Sequence, residues 1–461
     1  MNKPAGAVAV LGFGRTGQAV LQYLLEHEPR TPLLLFNDGP VADVEKRQAF
    51  ARRGVRFLTG ADHFNELSAC RQAVISPGFD GSQPRFAALR RDGVEVISEI
   101  EFAFRRIRGR IIAVSGSNGK STTVSLVQHL LAGAGRPSRL AGNIGTPLIA
   151  EADAIQPGSL VVLELSSFQL EEIDRFRPEV AVLLNITPDH MDRYPSLAAY
   201  AAAKFNLLRN QEPGDLMVLN ADDPRLREAE KLGKGQPLWF SAARPVEAPS
   251  RGAWLDNGDI VLDTGAGRER ISLRRNPLRG IHNLENIMAA ALACRAVGLE
   301  AAAIEAGLAS FRGLAHRMET AGCVGRVEFI NDSKATNVDA ALKSVSSIDG
   351  DLVVILGGKD KGGDFRLLLE PLRQRARRIL LLGQAAPEIA AQLADLDARL
   401  TAVRDLEEAV GNGYAELKGN GGTVLLAPAC ASFDMFADFE QRGEVFKEEV
   451  RRLRQREGEH G

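Results

Sequence analysis

The segment Gly116-Ser117-Asn118-Gly119-Lys120-Ser121-Thr122 constrains this chain more than any other, because it joins an apolar run, IIAVS at 111–115, to a helical pattern, TVSLVQHLL. A glycine-rich turn between strand and helix aims successive backbone N–H groups, and the positive end of the helix dipole, at a phosphate. Lys120 is placed to neutralise the outer phosphates, and the hydroxyl of Ser121 or Thr122 to hold Mg²⁺. The strict spacing G-x-x-x-x-G-K-[ST] wants glycine at position 114, where this chain has Val114, so the loop is a shortened variant. An ordinary turn is the competing reading; strand, loop, lysine and helix falling in order favour a phosphate.

A second glycine loop, Gly12-Phe13-Gly14-Arg15-Thr16-Gly17, follows the run AVAVL at 7–11 and precedes a helical pattern over Gln18–Glu26, with Asp38 ending the next apolar run. This is the pattern of a dinucleotide site, in which glycines permit a tight turn and close approach to a diphosphate. Backbone N–H groups read only phosphates, so NAD and a UDP-sugar both remain open, as do glycines needed only for strand–helix packing. An NAD-dependent oxidoreductase explains the first loop but leaves Lys120 idle. An enzyme that uses ATP on a nucleotide-bearing substrate employs both.

The remaining runs, PLLLF at 32–36, LVVLEL at 160–165, AVLLNI at 181–186, DLVVIL at 351–356 and TVLLA at 423–427, alternate with helical patterns. Continuous apolar strands of this kind are covered on both faces, which makes the class α/β with mostly parallel sheets. Only the stretch 250–275, with GAWLDNGDIVLD, reads as antiparallel. A length of 461 residues fits about three domains, read as 1–98, 99–313 and 314–461, the third sheet starting at RVEFI, 326–330.

Composition narrows the function. Lys plus Arg number 57 against 59 Asp plus Glu, a net charge of -2, so no positive field gathers nucleic acid. The four cysteines, Cys70, Cys294, Cys323 and Cys430, form no C-x-x-C pair and predict neither disulfides nor a zinc site; Cys430 reads as a buried small hydrophobe. No apolar stretch approaches the roughly 18 residues of a membrane span. The reading is a soluble cytoplasmic protein acting on small molecules as a monomer.

Other candidates lie at predicted strand ends, where open α/β sheets bind ligands. Glu164 and His190, in NITPDHMD, fall on the same edge as Lys120 and are read as ligands of a divalent cation. Lys204, in the alanine-rich AAYAAAKF, reads by itself as a solvated lysine, and Asn283, beside His282 and Asn286, by default as a helix cap, with a hydrogen bond to a nucleotide base as the other reading. His316-Arg317 reads as a hinge or phosphate contact, and Asp332 to Asn337 follow another strand end.

Taken together, GSNGKST, ELSSFQL, NITPDHMDRY, the lysine of AAAKF, HNLEN and AHRME stand in one order along nearly the whole chain and resemble the Mur ligases, the ATP-dependent amino-acid-adding enzymes of bacterial peptidoglycan synthesis. The late motifs NDSKATN, LGGKDKGGDF and LAPACASFDMFADFEQRG resemble the branch that adds D-glutamate to UDP-N-acetylmuramoyl-L-alanine. A sibling that adds another amino acid, or L-glutamate, is the nearest alternative.

The resemblance implies an N-terminal Rossmann-like UDP-binding domain, a central P-loop ATPase-type domain with a mostly parallel sheet, and a C-terminal Rossmann-like domain that receives the amino acid. It implies ATP and Mg²⁺, two ions, as cofactors, with cell-wall biogenesis and cell shape and division as the setting. By the same resemblance Gly116 to Thr122, with Asn283, Asn286, Arg317 and Asp332, bind ATP. Ser121, Glu164 and His190 hold Mg²⁺, and Lys204 joins them once carbamylated by CO₂. Gly14, Arg15, Thr16, Asp38 and the turn Ser76-Pro77-Gly78 hold the UDP group, although Gly39 and Pro40 stand where relatives often carry polar uracil contacts. Asn143, Gln169 and His190 contact the muramoyl substrate, and Lys334, Thr336, Lys361, Ser432, Phe433 and Phe439 line the amino-acid site. Lys120, Glu164, His190 and Lys204 are the catalytic set.

Overall fold

The computed structural model describes residues 6–246, 250–265, 267–278 and 280–458. Residues 1–5 and 459–461, at the outer ends of the first and third expected domains, and 247–249, 266 and 279 lie outside the described residues.

Three sheets follow one another along the chain. The first is wholly parallel, in the order Arg56–Thr59, Leu33–Asn37, Val8–Leu11, Gln72–Ile75, Glu95–Ser98. Because Val8–Leu11 is central and the order reverses on either side of it, a crevice opens beyond its C-terminal end, which is where such sheets bind ligands. The loop after Leu11 and the turn at Ser76 flank that crevice. They are in contact: a Cβ on Gly12, whose φ is +95°, would lie 3.1 Å from the Ser76 side chain.

The second sheet has nine strands, with Arg110–Ser115 between Val180–Leu183 and Leu160–Glu164. Five buried residues in a row, Ile111 to Ser115, explain its unbroken apolar run: helices cover both faces. Its far edge is the expected antiparallel meander, Arg251–Asp256, Asp259–Asp263 and Arg268–Ser272, the first pair joined by Asn257-Gly258, both at positive φ.

The third sheet runs Glu319–Val324, Val327–Asn331, Gly422–Leu426, Leu352–Gly357, Ala376–Leu382, Leu400–Ala402. Two expectations are corrected by it. The sheet begins at Glu319, ahead of 326, and its first pair is antiparallel, so 250–275 is not the sole antiparallel stretch. Glu319–Val324 escapes pattern reading because it is a half-exposed edge strand, ETAGCV, with a register shift between Thr320 and Gly322 and no apolar run.

Burial ties the units together unequally. One continuous apolar cluster joins the first two, from Val8 to Val261, with Phe102 and Phe176 inside it. At this junction buried Glu101 accepts from the backbone N–H groups of Asp174, Arg175 and Phe176 at 2.9, 3.0 and 2.8 Å. The apolar clusters of the third unit draw only on residues from Met318 onward. It meets the central unit through polar side chains instead: Asn118 with Asp339, Arg317 with Ser121, and Lys361 with Asp189.

Candidate active site

The phosphate loop is held by its own glycines and by the strand beside it. Gly119 has φ +89°, and a Cβ there would lie 2.2 Å from Asn286 Oδ1, so both conformation and space demand glycine. Asn118 N–H donates to Asn185 Oδ1 at 2.8 Å, and Ser117 Oγ, which donates to the Thr187 carbonyl, accepts from Thr187 N–H at 2.9 Å. Lys120, the first residue of the helix Lys120–Gly133, folds back and donates to the carbonyls of Gly116 and Ser117, both at 2.9 Å. Ser121 Oγ accepts from the Arg317 guanidinium at 3.0 Å.

Glu164 ends its strand only 2% exposed. One carboxylate oxygen, Oε1, accepts from Asn143 Nδ2 at 2.8 Å, while Oε2 is buried without a hydrogen-bond partner. A buried oxygen left unpaired beside a phosphate loop is costly unless a cation completes it, so the site fits a divalent ion. His190 adopts φ +57°, its ring edge-on to Phe168 at 4.9 Å. Burial, helped by the Lys361 and Lys120 charges, lowers its pKa against the pull of Asp189, which favours the neutral, metal-ligating imidazole.

Lys204 departs from the solvated lysine that its alanine-rich helix predicts. The helix Leu197–Phe205 buries Tyr200, Ala201, Ala203, Lys204 and Phe205, and Lys204 is 1% exposed. Its Nζ donates to the Gly116 carbonyl at 2.9 Å and stands 4.6 Å from the centre of the Tyr200 ring. Burial and the Lys120 charge hold its pKa well below the ordinary lysine value, and burial lowers that of Lys120 too. Two amines therefore converge on one carbonyl.

A cavity of about 430 Å³ opens between the central and third units. Ser117 to Thr122, Asn143, Glu164 and His190 line it from the central unit; Arg317, Asp332, Lys334, Thr336, Lys361, Ser432, Phe433 and Phe439 line it from the third. Gly116 and Lys204 do not line it; Lys204 reaches the loop through the Gly116 carbonyl. Asn283 and Asn286 also face the cavity, which overturns the cap reading of Asn283: Gly280 caps the helix Ile281–Ala296, and Asn283 is buried one turn inside. Buried Asp332 accepts from Ser344 Oγ and from Met318 N–H. Lys334 Nζ lies 3.6 Å from the Phe439 ring centre, with its pKa lowered to about 8 mainly by burial. Phe433, 68% exposed, stands at the rim. Buried Cys430 has its pKa raised to about 12 by burial and is no nucleophile.

The first unit's candidates lie apart from this cavity. Arg15 reaches the Gly145 carbonyl, two residues beyond Asn143. Thr16 and Gly14 open the helix Arg15–His27. Asp38 is held by a two-pronged bond from Arg85, at 2.6 and 2.9 Å, which keeps its carboxyl below the usual range. Pro77, within the turn Ser76-Pro77-Gly78, takes a bond from Arg193 on its carbonyl. Gln169 forms a capping box with Ser166.

Several residues escaped the sequence reading. Asp189 pairs with Lys361 at 3.7 Å; it sits beside His190 in a quoted motif, and only the facing unit reveals its partner. Asn337 caps the helix Val338–Ser346 and also donates to Asn118 Oδ1 at 3.3 Å, a role hidden behind an ordinary cap signal. Arg85 carried no signal, because the position of its partner Asp38 is set by the sheet.

Fold and cavity together define a three-sheet α/β protein whose central unit carries a P-loop-like strand–loop–helix at a cavity that the third unit helps to line. Models of the Mur ligase family match each part: the MurD-like N-terminal domain at residues 6–98, the middle domain at 114–294 and the glutamate ligase domain at 316–430. A UDP-N-acetylmuramoylalanine–D-glutamate ligase of Solibacter usitatus is 44% identical over 380 residues, covering 82% of this chain and 84% of its own. One from Pelotomaculum thermopropionicum is 38% identical over 453 residues, covering 97% and 98%. Among solved structures, a pseudomurein peptide ligase type C from Methanothermus fervidus shares the fold, with a TM-score of 0.61 at 17% identity over 97% of this chain and all of that one. The chain belongs to the Mur ligase family.

Proposed function

We infer that this chain is an ATP-dependent, amide-bond-forming ligase that joins D-glutamate to UDP-N-acetylmuramoyl-L-alanine in peptidoglycan precursor synthesis. One observation carries the chemistry: the phosphate loop with Lys120, the half-satisfied Glu164 and the third unit's Lys334, Thr336, Lys361 and Ser432 all line a single cavity. The names of the full-length relatives supply the substrates.

A carboxylate is a poor electrophile, so the L-alanyl carboxylate oxygen first attacks the γ-phosphorus of ATP. The bond to ADP breaks, and an acyl phosphate forms. The D-glutamate amine then attacks the acyl carbon and loses a proton, and the C–O bond to phosphate breaks to leave amide and inorganic phosphate. Lys120 and Arg317 hold phosphate oxygens, Asn283, Asn286 and Asp332 the nucleoside, and Asn143, Gln169 and His190 the muramoyl end. Gly14, Arg15, Thr16, Asp38 and Ser76 to Gly78 hold the UDP group. Lys334, Thr336, Lys361, Ser432, Phe433 and Phe439 hold the amino acid, and closure of the third unit excludes water that would hydrolyse the acyl phosphate.

Ser121, Glu164, His190 and Lys204 as its carbamate would hold two Mg²⁺ ions, which offset the charge on the phosphate oxygens. Lys204 suits that modification: addition to CO₂ needs a neutral amine and releases a proton, and burial beside Lys120 disfavours the ammonium. As a carbamate it turns repulsion from Lys120 into attraction. The described residues include no helix long and apolar enough to cross a membrane, and we read the enzyme as a cytoplasmic monomer.

Mass spectrometry after supplying ATP, Mg²⁺, UDP-N-acetylmuramoyl-L-alanine and D- or L-glutamate tests the reading. A D-glutamate-dependent amide with one phosphate per product supports it. Joining of L-glutamate or another amino acid alone overturns the substrate assignment, and no product overturns the ligase reading.

A further inference from the structure

The motif FEQRG contributes Phe439 to the cavity, yet its arginine is, among the described residues, the largest side chain that is almost fully buried: Arg442 is 1% exposed. It does not line the cavity. Its Nε donates to Ser333 Oγ at 2.9 Å, one terminal nitrogen to the carbonyls of Ser333 and Cys430 at 2.8 and 3.1 Å, and the other to those of Gly357 and Ala431 at 3.5 and 3.4 Å. Among the described residues no carboxylate lies within ion-pair distance of it; Asp434 acts on it only through space. Burial lowers its pKa to about 10, so it stays charged near neutrality.

Burying a charge without an ion partner is expensive, and a structural role alone could be met by an apolar side chain. The groups it grips explain the choice. Ser333 immediately precedes Lys334, Ala431 immediately precedes Ser432, and Gly357 opens the turn that leads to Lys361. Those three loops leave three different strands, Val327–Asn331, Gly422–Leu426 and Leu352–Gly357, which are neighbours in the third sheet. A five-donor guanidinium binds them at one point, which a single-point ammonium cannot do equally well. Ser333 Oγ passes the constraint on, donating to the Phe439 carbonyl at 2.8 Å and so fixing the ring that covers Lys334.

We propose that Arg442 is the positioning residue of the amino-acid site: it sets the spacing of Lys334, Lys361 and Ser432, and its buried positive charge favours an acidic amino acid there. The proposal rests on the ligase reading above.

Steady-state kinetics of Arg442→Lys and Ser333→Ala, with wild type as control, decide it. Outer-layer hydrogen bonds of this kind predict a D-glutamate KM raised about tenfold or more, with the KM values for ATP and the UDP substrate within about twofold. The single-turnover ADP burst formed without D-glutamate stays unchanged. An unchanged D-glutamate KM in both variants overturns the proposal, as does a parallel shift of all three KM values with a fall in Tm, which marks a structural role only. Should Arg442→Lys fail to fold, Ser333→Ala decides alone. If the wild type joins a different amino acid, the glutamate reading falls, and the same comparison run with that amino acid still decides the role of Arg442.

Discussion

Two glycine loops in this chain obey the same strand–loop–helix rule and end in opposite environments. In the first, Gly14 and Arg15 are exposed, no lysine follows, and Arg15 reaches outward to the next unit. In the second, buried Lys204 and half-buried Lys120 meet at the Gly116 carbonyl, and a neighbouring unit closes over the opening. Glycine spacing alone therefore reads the same in both cases, and under the ligase reading the charge packed around the loop separates recognition from chemistry. A loop without buried cations can hold a diphosphate; one that carries them can stabilise a phosphoryl group in transit.

The sharpest way to break this contrast is Lys120→Ala. Loss of the side chain that folds back onto the Gly116 and Ser117 carbonyls predicts a fall in kcat on the order of 10³-fold, read by phosphate release, with the UDP-substrate Kd unchanged. Lys204→Ala comes next, at roughly 10²-fold, with partial return of activity on adding a short carboxylate such as acetate. Full activity without the additive would remove the carbamate from the account.

The first loop predicts a different signature. A Cβ on Gly17 would lie 1.9 Å from the Gly12 carbonyl oxygen, so Gly17→Ala must displace the loop. Overpacking of this kind costs about 1–3 kcal/mol in stability, and the UDP-substrate KM should rise about tenfold with the ATP KM unmoved. A matching rise in both would make the two loops one site and dissolve the comparison.

The junction between the first two units predicts no change in turnover, only in stability. Buried Glu99 accepts from Ile149 N–H at 2.7 Å, and burial raises its pKa from 4.5 to about 7. With the folded value above the unfolded one, its contribution to stability is complete below about pH 4.5 and is lost as pH rises through 7. Denaturant titrations between these limits should show up to about 3 kcal/mol lost with rising pH, a slope that Glu99→Gln abolishes.

Much of this was legible in sequence because the loops sit on apolar runs whose burial leaves little choice. The apolar runs Val8–Leu11 and Ile111–Ser115 that precede Gly12 and Gly116 are fully buried, as their patterns require. The exceptions share a physical cause. Lys204 looks solvated in a string of letters, and nothing in the letters marks Arg442, since burial of a charge depends on what packs against the helix from elsewhere. Glu319–Val324 is paired on one edge only, so it needed no apolar run. Asn283 looked like a cap because a glycine, Gly280, took the position that its side chain could have filled.

The central claim is that the buried loop transfers a phosphoryl group to the substrate's own carboxylate. Labelling both oxygens of the L-alanyl carboxylate with ¹⁸O, and weighing the released phosphate, tests it directly. Transfer of one labelled oxygen to phosphate for each amide formed is the predicted result. Unlabelled phosphate, with one label kept in the amide carbonyl and the other released to water, would contradict it.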